Sequence, residues 1–354
     1  MNILICDEGF EDVVVKDLKN RKIAAKIESP TVISFEADYD TCVLLAYSLQ
    51  SAIKLITEVS VFEASSDLEE TAKRINVPKV QGSVNVSCVR KGGHLYRSVD
   101  LASQIAQKFE HTSYKKADNY VFIYVKDDKG YSGLDISART LSKRDYKVFT
   151  GAASLRGTVA YNTLLLADAT EKDVILDPFM GSGTIVLEAG LYFSKTSPFL
   201  FSKDKFACFN KEIFDSYDAK RKPDQFDIYG FDSLLKFLKY TQKNAKIADI
   251  NKNVHISKVS IDWLDTKMEE HSVDKIVTHP PFLTEHGSKT KIMKVYKDFF
   301  NQADFVLKKK GTITLITNEQ SESYITESNE IFKETHRRIV FEGQQELLIL
   351  QYTR

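Results

Sequence analysis

The stretch Val174-Ile-Leu-Asp-Pro-Phe-Met-Gly-Ser-Gly-Thr-Ile-Val-Leu-Glu-Ala-Gly190 decides the fold of this chain. Its first three residues are an apolar run of the kind that is buried in a parallel sheet, and they predict a short strand. Pro178 ends that strand, because proline has no N–H to donate to a neighbouring strand. Asp177 is therefore expected at the carboxyl end of the strand, where open α/β sheets bind ligands.

A glycine-containing turn and a helix follow this strand. Gly181 and Gly183 can adopt positive φ angles and let another molecule lie close to the backbone. Ser182 or Thr184 is expected to cap the helix, which has an apolar face. The order of strand, turn and helix predicts that a ligand lies against the backbone of the turn.

The spacing Asp-Pro-x-x-Gly-Ser-Gly-Thr resembles the S-adenosylmethionine motif of amino-group methyltransferases that act on nucleic acid. The resemblance implies a Rossmann-like class I methyltransferase domain with S-adenosylmethionine as its cofactor. Asp232, at the tip of the next predicted strand, is placed to accept both ribose hydroxyls, and Asp262 can accept from the adenine amino group. In this family the helix start near Leu155 to Thr158 often contacts the cofactor. The expected cofactor-binding residues are Asp177, Pro178, Phe179, Gly181, Ser182, Gly183, Thr184, Asp232, Asp262 and Thr158.

A second stretch, Val273-Asp-Lys-Ile-Val-Thr-His-Pro-Pro-Phe282, again runs from a short apolar strand into a stiff turn. It resembles the Asn/Asp-Pro-Pro-Tyr/Phe motif of enzymes that methylate exocyclic amines. The lone pair of such an amine is delocalised into the base, so two acceptors are needed to turn it toward the methyl group. We expect His279 and the Pro280 carbonyl to be these acceptors. Pro281 stiffens the turn, and Phe282 offers a flat face for the base.

His279 stands where this motif has Asn or Asp. A neutral imidazole keeps one acceptor nitrogen, whereas an imidazolium has none. Activity is therefore expected to fall as the pH drops through about 6 to 7, near the ordinary pKa of histidine. The alternative is a site that binds the cofactor and no longer transfers a methyl group.

The segment Val86-Ser-Cys-Val-Arg-Lys-Gly-Gly-His-Leu-Tyr-Arg-Ser98, with the later run from Gly130 to Tyr146, resembles the THUMP domain of RNA-modifying enzymes. THUMP domains hold the acceptor end of tRNA, so the resemblance implies tRNA as the partner, with ribosomal RNA also open. Basic side chains here are expected to contact phosphates, and the alternative for each is a solvated basic rim. These side chains are Arg90, Lys91, His94, Lys143 and Arg144.

Three domains are predicted along the chain. Residues 1–60 are expected to form an α+β, ferredoxin-like unit, and residues 61–147 the THUMP domain. Residues 148–354 are expected to form the Rossmann-like methyltransferase domain, with a seven-stranded sheet whose last strand is antiparallel. Residues 197–227 are an insertion without obvious regular structure, which suggests that it faces the substrate. A similar insertion marks guanine-N2 methyltransferases acting on tRNA or large ribosomal RNA.

Charge and composition are those of an ordinary soluble protein with an uneven charge distribution. The 354 residues carry 49 basic and 49 acidic side chains. Residues 89–147 hold 12 Lys/Arg against 7 Asp/Glu, whereas residues 1–88 hold 9 against 14, so the later segment can attract phosphates. Four scattered cysteines form no metal-ligand spacing, and no apolar run approaches the length of a membrane helix. We therefore expect no metal, no membrane contact and a cytoplasmic protein.

The leading hypothesis is a methyltransferase that uses S-adenosylmethionine to modify the exocyclic N2 amine of a guanosine in tRNA. Methylation of adenine N6 is an alternative, because the Pro-Pro-Phe chemistry serves any exocyclic amine. An RNA-binding protein with a silent methyltransferase fold is a further alternative. It is suggested only by His279, which replaces the Asn or Asp of the motif.

Overall fold

Two seven-stranded sheets organise the residues that the computed structural model describes, which are 1–282 and 288–354. The strands of this part are β1 (Asn2–Ile5), β2 (Ala25–Ser29), β3 (Val32–Phe35), β4 (Lys54–Glu63), β5 (Val84–Lys91), β6 (Asn119–Lys126), β7 (Lys129–Leu134), β8 (Ile175–Asp177), β9 (Ile228–Asp232), β10 (His255–Lys258), β11 (Val273–Thr278), β12 (Leu307–Thr317), β13 (Lys333–Glu342) and β14 (Gln345–Thr353). Its α-helices are α1 (Glu11–Asn20), α2 (Tyr39–Ser48), α3 (Leu68–Arg74), α4 (Ser98–Ala106), α5 (Gly157–Leu166), α6 (Thr184–Phe193), α7 (Lys211–Asp218), α8 (Leu235–Ile247), α9 (Lys289–Val306) and α10 (Glu319–Ser328). Short 3-10 helices span Lys203–Lys205 and Ile261–Thr266.

The first sheet is built by the N-terminal part of the chain and has the strand order β2-β3-β1-β4-β7-β6-β5. Its central strand β4 pairs with β1, where Ile56 lies opposite Ile3, and with β7, where Val61 lies opposite Tyr131. The boundary expected near residue 60 falls inside β4, so the two predicted N-terminal units share one sheet. The division of the chain into domains stays a prediction.

The second sheet has the strand order β10-β9-β8-β11-β12-β14-β13. The strands from β10 to β12 in this order are parallel, and β14 is antiparallel to both β12 and β13. The predicted class I methyltransferase sheet, with an antiparallel last strand, is therefore confirmed. The strand order reverses between β8 and β11, so the carboxyl ends of these two strands open a crevice.

Strand β8 is covered on both faces, which fixes it at the centre of the second sheet. Ile175 packs in an apolar cluster with residues of α5 and α6, and Leu176 packs in another cluster with residues of α9 and β12. The alternation of side chains along a strand sends these two neighbours to opposite faces. Asp177, the last residue of the strand, is thereby held at the edge of the sheet.

The insertion at 197–227 contains regular structure and packs against the N-terminal part of the chain. Phe214 of α7 stacks on Tyr47 of α2, with ring centroids 4.0 Å apart. The Tyr47 hydroxyl also donates to the carboxylate of Asp218 at 2.9 Å. The expectation of an irregular segment is wrong, because apolar side chains of the insertion are buried against α2.

A buried ion pair joins the second sheet to the N-terminal part. Arg144 Nε lies 2.9 Å from Glu188 Oε1 on α6, and both side chains are 0 % exposed. The amide of Gln50 and the hydroxyl of Tyr146 donate to the same carboxylate at 2.7 and 2.6 Å. The guanidinium of Arg144 is enclosed by protein, so the prediction that it contacts RNA phosphate is wrong.

Candidate active site

A cavity of about 510 Å³ opens where the carboxyl ends of β8, β9 and β11 meet. Its walls come from the turn after each of these strands, from the segment after β10 and from the loop that precedes α5. Both sequence motifs therefore contribute to one cavity. The predicted site residues that line it are Asp177, Pro178, Phe179, Gly181, Ser182, Thr184, Asp232, His279, Pro280, Pro281 and Phe282.

The glycine turn after β8 presents its backbone to the cavity. Gly181 and Gly183 have φ angles of +53° and +86°, in the left-handed region that favours glycine. A Cβ atom at Gly181 would meet no atom within 4 Å, so this residue borders open space. A Cβ atom at Gly183 would overlap Thr241 of α8, and Gly183 does not line the cavity. Gly183 is the N-cap of α6 without a side-chain cap, so the predicted cap by Ser182 or Thr184 is wrong.

Asp177 lines the cavity with a carboxylate that is almost fully buried, at 1 % exposed. Its Oδ1 accepts a hydrogen bond from the Thr278 hydroxyl at 2.6 Å and one from the Phe179 N–H at 3.2 Å. Burial raises the pKa of Asp177 to about 7, and the nearby charge of Asp232 adds to the effect, although both hydrogen bonds oppose it. A cation placed beside this carboxylate, such as the ammonium group of an amino acid, would stabilise its ionised form.

Asp232 supplies a second carboxylate at the end of the neighbouring strand β9. Its oxygens accept from the N–H of Leu234 at 2.8 Å and from the N–H of Gly181 at 3.1 Å. Burial raises the pKa of this half-buried carboxyl above its ordinary value. The carboxylate joins the glycine turn to β9, and its remaining lone pairs fit hydroxyl donors such as those of a ribose.

Two further residues expected to bind the cofactor are not brought to the cavity wall. Thr158, in the first turn of α5, is buried and its hydroxyl donates to Asp7. Asp262 is exposed, and its carboxylate accepts from the hydroxyl of Ser260. Ser260 and Ile261 line the cavity, so this segment contributes to the wall through residues other than Asp262.

His279 lines the cavity on the turn after β11. Burial lowers the pKa of its imidazole to about 4, so the ring is neutral at physiological pH. Nε2 is buried and has no hydrogen-bond partner among the described residues. The ring of Phe282 stands edge-on to it, with centroids 4.6 Å apart and an interplanar angle of 78°. With its proton on Nδ1, the imidazole keeps Nε2 as a hydrogen-bond acceptor that no described residue uses.

The two prolines that follow His279 are anchored to α9. The hydroxyl of Tyr296, a buried residue of that helix, donates to the Pro281 carbonyl at 2.7 Å. Proline fixes its own φ angle, and the hydrogen bond fixes the turn relative to the helix. Pro280 and Phe282 are therefore presented to the cavity from a rigid support.

Several residues that the sequence analysis did not single out complete the cavity. The Ser154 hydroxyl lies 2.8 Å from that of Ser182, which joins the loop before α5 to the glycine turn. Leu234 and Phe237 add apolar surface to the wall beside Asp232. In the sequence, these cavity residues are indicated only by their position within a few residues of a motif or of a strand end.

The basic residues predicted to contact RNA occupy different settings. Arg90 Nη1 lies 3.2 Å from His94 Nδ1, and His94 Nε2 lies 2.7 Å from the carbonyl oxygen of Asp127. These contacts hold the connection between β5 and α4. Lys91 is half-buried and Lys143 is exposed.

Among residues 1–282 and 288–354, no helix is both long and apolar enough to cross a membrane. In the same part of the chain, no group of three or more His, Cys, Asp or Glu side chains is arranged to hold a metal ion.

The sheet order and the position of the cavity define the class of protein. A doubly wound sheet of this order, with a glycine turn and a carboxylate at the switch point, is the fold of a class I methyltransferase domain. The chain belongs to the RMKL-like methyltransferase domain family, whose sequence pattern matches residues 144–346.

Two archaeal enzymes and one solved structure are similar to this chain over most of its length. The tRNA (guanine(6)-N2)-methyltransferase of Methanocaldococcus jannaschii is 26% identical over 292 residues, which cover 77% of this chain and 74% of the relative. The enzyme of the same name from Archaeoglobus fulgidus is 23% identical over 329 residues, covering 88% and 81%. The crystal structure of "a possible methylase" from Clostridium difficile 630 superposes with a TM-score of 0.81 at 22% identity, covering 99% of this chain and 97% of that one. At this identity the structural likeness shows the fold alone.

Proposed function

We propose that this protein transfers the methyl group of S-adenosylmethionine to the exocyclic N2 amine of a guanosine in tRNA. The observation that carries the proposal is that Asp177, Asp232 and His279 line one cavity at neighbouring strand ends. The carboxylates suit a ligand with an ammonium group and hydroxyls, and the neutral imidazole suits the N–H of a base. The names of the two archaeal relatives support the choice of amine and of RNA.

The residues of the cavity fit the parts of the cofactor. Asp177 would accept from the ammonium group of its methionine part, and Asp232 from the two ribose hydroxyls. Because Gly181 has no side chain, the backbone of the turn can approach the cofactor closely. Leu234 and Phe237 would offer apolar contact to the adenine ring. Bound S-adenosylmethionine supplies a methyl group that is already activated on a sulfonium, so the protein has mainly to position the acceptor amine.

The turn after β11 would position that amine. The two N–H bonds of guanine N2 would donate to Nε2 of His279 and to the carbonyl of Pro280, which turns the nitrogen toward a tetrahedral geometry. Phe282 would pack against the base. Because the pKa of His279 is about 4, the imidazole is a weak base at neutral pH, and its role is to orient the amine.

The N-terminal part of the chain would hold the rest of the tRNA. We assign residues 61–147 to a THUMP domain on the resemblance of their sequence, and Lys91 and Lys143 remain accessible to phosphates there. Arg90 and His94 hold the connection after β5 and would shape the surface rather than provide free charge. Extruding a paired guanosine costs a few kcal/mol, which contacts elsewhere on the tRNA offset.

The experiment that tests the proposal is nucleoside mass spectrometry of unmodified tRNA transcripts incubated with the protein and S-adenosylmethionine. N2-methylguanosine is the expected product. N6-methyladenosine would instead support the adenine alternative, which the same amine chemistry allows. No methylated nucleoside, together with retained tRNA binding, would support a silent methyltransferase fold.

A further inference from the structure

Helix α8 presents a row of lysines to solvent. Its sequence from Leu235 to Ile247 contains no acidic residue. The lysines are separated by three, four and three positions, a spacing that places them along one face of a helix. All of them are exposed, and they are Lys236, Lys239, Lys243 and Lys246.

The protein does not neutralise this row of charges. None of the four ammonium groups forms an ion pair with a carboxylate of the described residues, whereas Lys222 elsewhere on the surface pairs with Glu171. Like charges three and four positions apart on a helix repel each other. A polyanion bound at this face would remove that repulsion, so the row is complementary to a nucleic-acid backbone.

Aromatic rings lie between the lysines. Lys243 Nζ is 4.5 Å from the ring centroid of Phe149, and Lys236 Nζ is 5.4 Å from that of Tyr240. The rings of Phe149 and Tyr240 are themselves 5.8 Å apart. Cations for phosphates together with rings for unpaired bases are the combination that binds single-stranded nucleic acid.

The row adjoins the mouth of the active-site cavity. Phe237, which follows Lys236 on α8, lines that cavity. The side chain of Asn244 accepts from the N–H of Phe149 at 3.1 Å and donates to its carbonyl at 2.8 Å, so Phe149 is fixed on α8. Gly151, two positions later, lines the cavity as well. This face of α8 therefore borders the rim of the cavity through Phe237 and the segment from Phe149 to Gly151.

We propose that this face binds the RNA strand next to the target nucleotide. The inference rests on the proposed function, because a flanking strand exists only if the cavity receives a nucleotide of an RNA chain. The lysines bind its phosphates and the two rings stack on an unpaired base beside the target. We call the surface the α8 strip, and its members are Lys236, Lys239, Lys243, Lys246, Phe149 and Tyr240.

The charge of the strip is tested with the triple variant Lys236→Gln/Lys239→Gln/Lys243→Gln. The dissociation constant of an unmodified tRNA transcript is measured by fluorescence anisotropy over a series of salt concentrations. We expect at least about tenfold weaker binding at low salt, and a slope of log Kd against log salt that is smaller by about 2, since each single-strand phosphate contact contributes about 0.7. S-adenosylhomocysteine binding should be unchanged.

A matched control removes three positive charges at the amino ends of the strands of the second sheet, opposite the strand ends that form the cavity. Lys172 precedes β8, and Lys309 and Lys310 lie at the start of β12, all of them exposed. The variant Lys172→Gln/Lys309→Gln/Lys310→Gln should keep the affinity and the salt slope of the wild type. Equal affinity and equal slope in both triple variants would overturn the proposal.

The aromatic part of the strip is tested separately with Tyr240→Leu. Loss of stacking should weaken tRNA binding by about tenfold and leave the salt slope unchanged, because no charge is removed. Unchanged affinity would overturn the stacking role. A wild-type protein that yields no methylated guanosine but shows the difference between the two triple variants would refute the proposed function and leave the α8 strip as an RNA-binding surface without a target nucleotide beside it.

Discussion

The hydroxyl of Thr278 donates a 2.6 Å hydrogen bond to the carboxylate of Asp177, and so joins the two motifs of the active site. Thr278 ends β11 and directly precedes His279, and the two strands are adjacent and parallel, with Leu176 opposite Ile276. The bond couples the position of the Asp177 carboxylate to the turn that begins at His279. A change at one motif is therefore expected to affect the other.

Removing this hydroxyl should weaken cofactor binding. In Thr278→Val the carboxylate of Asp177 loses a hydrogen bond, and a bond to a charged group contributes about 1.5 to 3 kcal/mol. We expect S-adenosylhomocysteine to bind roughly ten- to a hundredfold more weakly in titration calorimetry. The control is Thr163→Val, since the equally buried Thr163 hydroxyl donates to the Val159 carbonyl within α5 at 2.8 Å. Equal affinities in the two variants would show that the Thr278 bond does not position Asp177.

Asp177 should make the cofactor-free protein less stable as the pH rises. The pKa of its carboxyl is about 7 in the folded protein, against about 3.9 in an unfolded chain. The folded state therefore retains a proton between these values, and the resulting stabilisation is complete below about pH 4 and lost as the pH rises through 7. Cofactor-free Asp177→Asn should exceed the wild type in unfolding free energy at pH 8, by on the order of 4 kcal/mol, and match it near pH 4.

Urea unfolding at several pH values measures this difference. The same variant should lose S-adenosylhomocysteine binding, because it lacks the carboxylate that would pair with the ammonium group. Parallel pH dependences in wild type and variant would contradict the raised pKa of Asp177, and retained binding would contradict its assignment to the cofactor.

His279 should not limit the rate between pH 6 and 8. Its residue type alone suggests a loss of activity through about pH 6 to 7, but burial lowers the pKa to about 4, so the acceptor persists to lower pH. At saturating cofactor and tRNA we expect a single-turnover rate that is flat in this range. His279→Ala should lower that rate by about a hundredfold or more, whereas His279→Asn restores a side-chain acceptor and should retain most of it. Full activity in His279→Ala would remove the imidazole from the mechanism.

The buried pair of Arg144 and Glu188 should matter for stability rather than for RNA binding. In Arg144→Met the carboxylate of Glu188 is left buried without its charge partner, which costs about 3 to 5 kcal/mol of unfolding free energy. The neighbouring variant Lys143→Met removes an exposed charge and should leave urea unfolding unchanged while weakening tRNA binding. A stable Arg144→Met protein with selectively weakened tRNA affinity would reverse this assignment.

Features that depend on neighbouring residues could be predicted from the sequence. The apolar run, Pro178 and the two glycines lie within a few positions of one another, and they give β8, the turn and α6 as expected. The helix expected after Leu155 is α5, from Gly157 to Leu166. The predicted side-chain cap of α6 is wrong, because a glycine with a positive φ occupies the N-cap position and neither Ser182 nor Thr184 caps the helix.

Features that depend on distant residues could not be predicted. The partner of Arg144 is 44 positions away in the sequence, and that of Thr158 is 151 positions away. The burial of these two side chains therefore could not be predicted from the residues around them. The low pKa of His279 likewise comes from tertiary burial rather than from its residue type. The lysines of α8 could not be related to the cavity from the sequence, because their proximity to it arises only when β8 and β9 pair.

The most direct test of the central claim, that the cavity brings a methyl donor to an exocyclic guanine amine, is to delete that amine. Transcripts of one tRNA are made with guanosine or with inosine, which lacks the N2 amine, and are incubated with the protein and S-adenosylmethionine carrying a tritiated methyl group. We predict label in the guanosine transcript and none in the inosine transcript. Equal labelling of both transcripts would contradict the account.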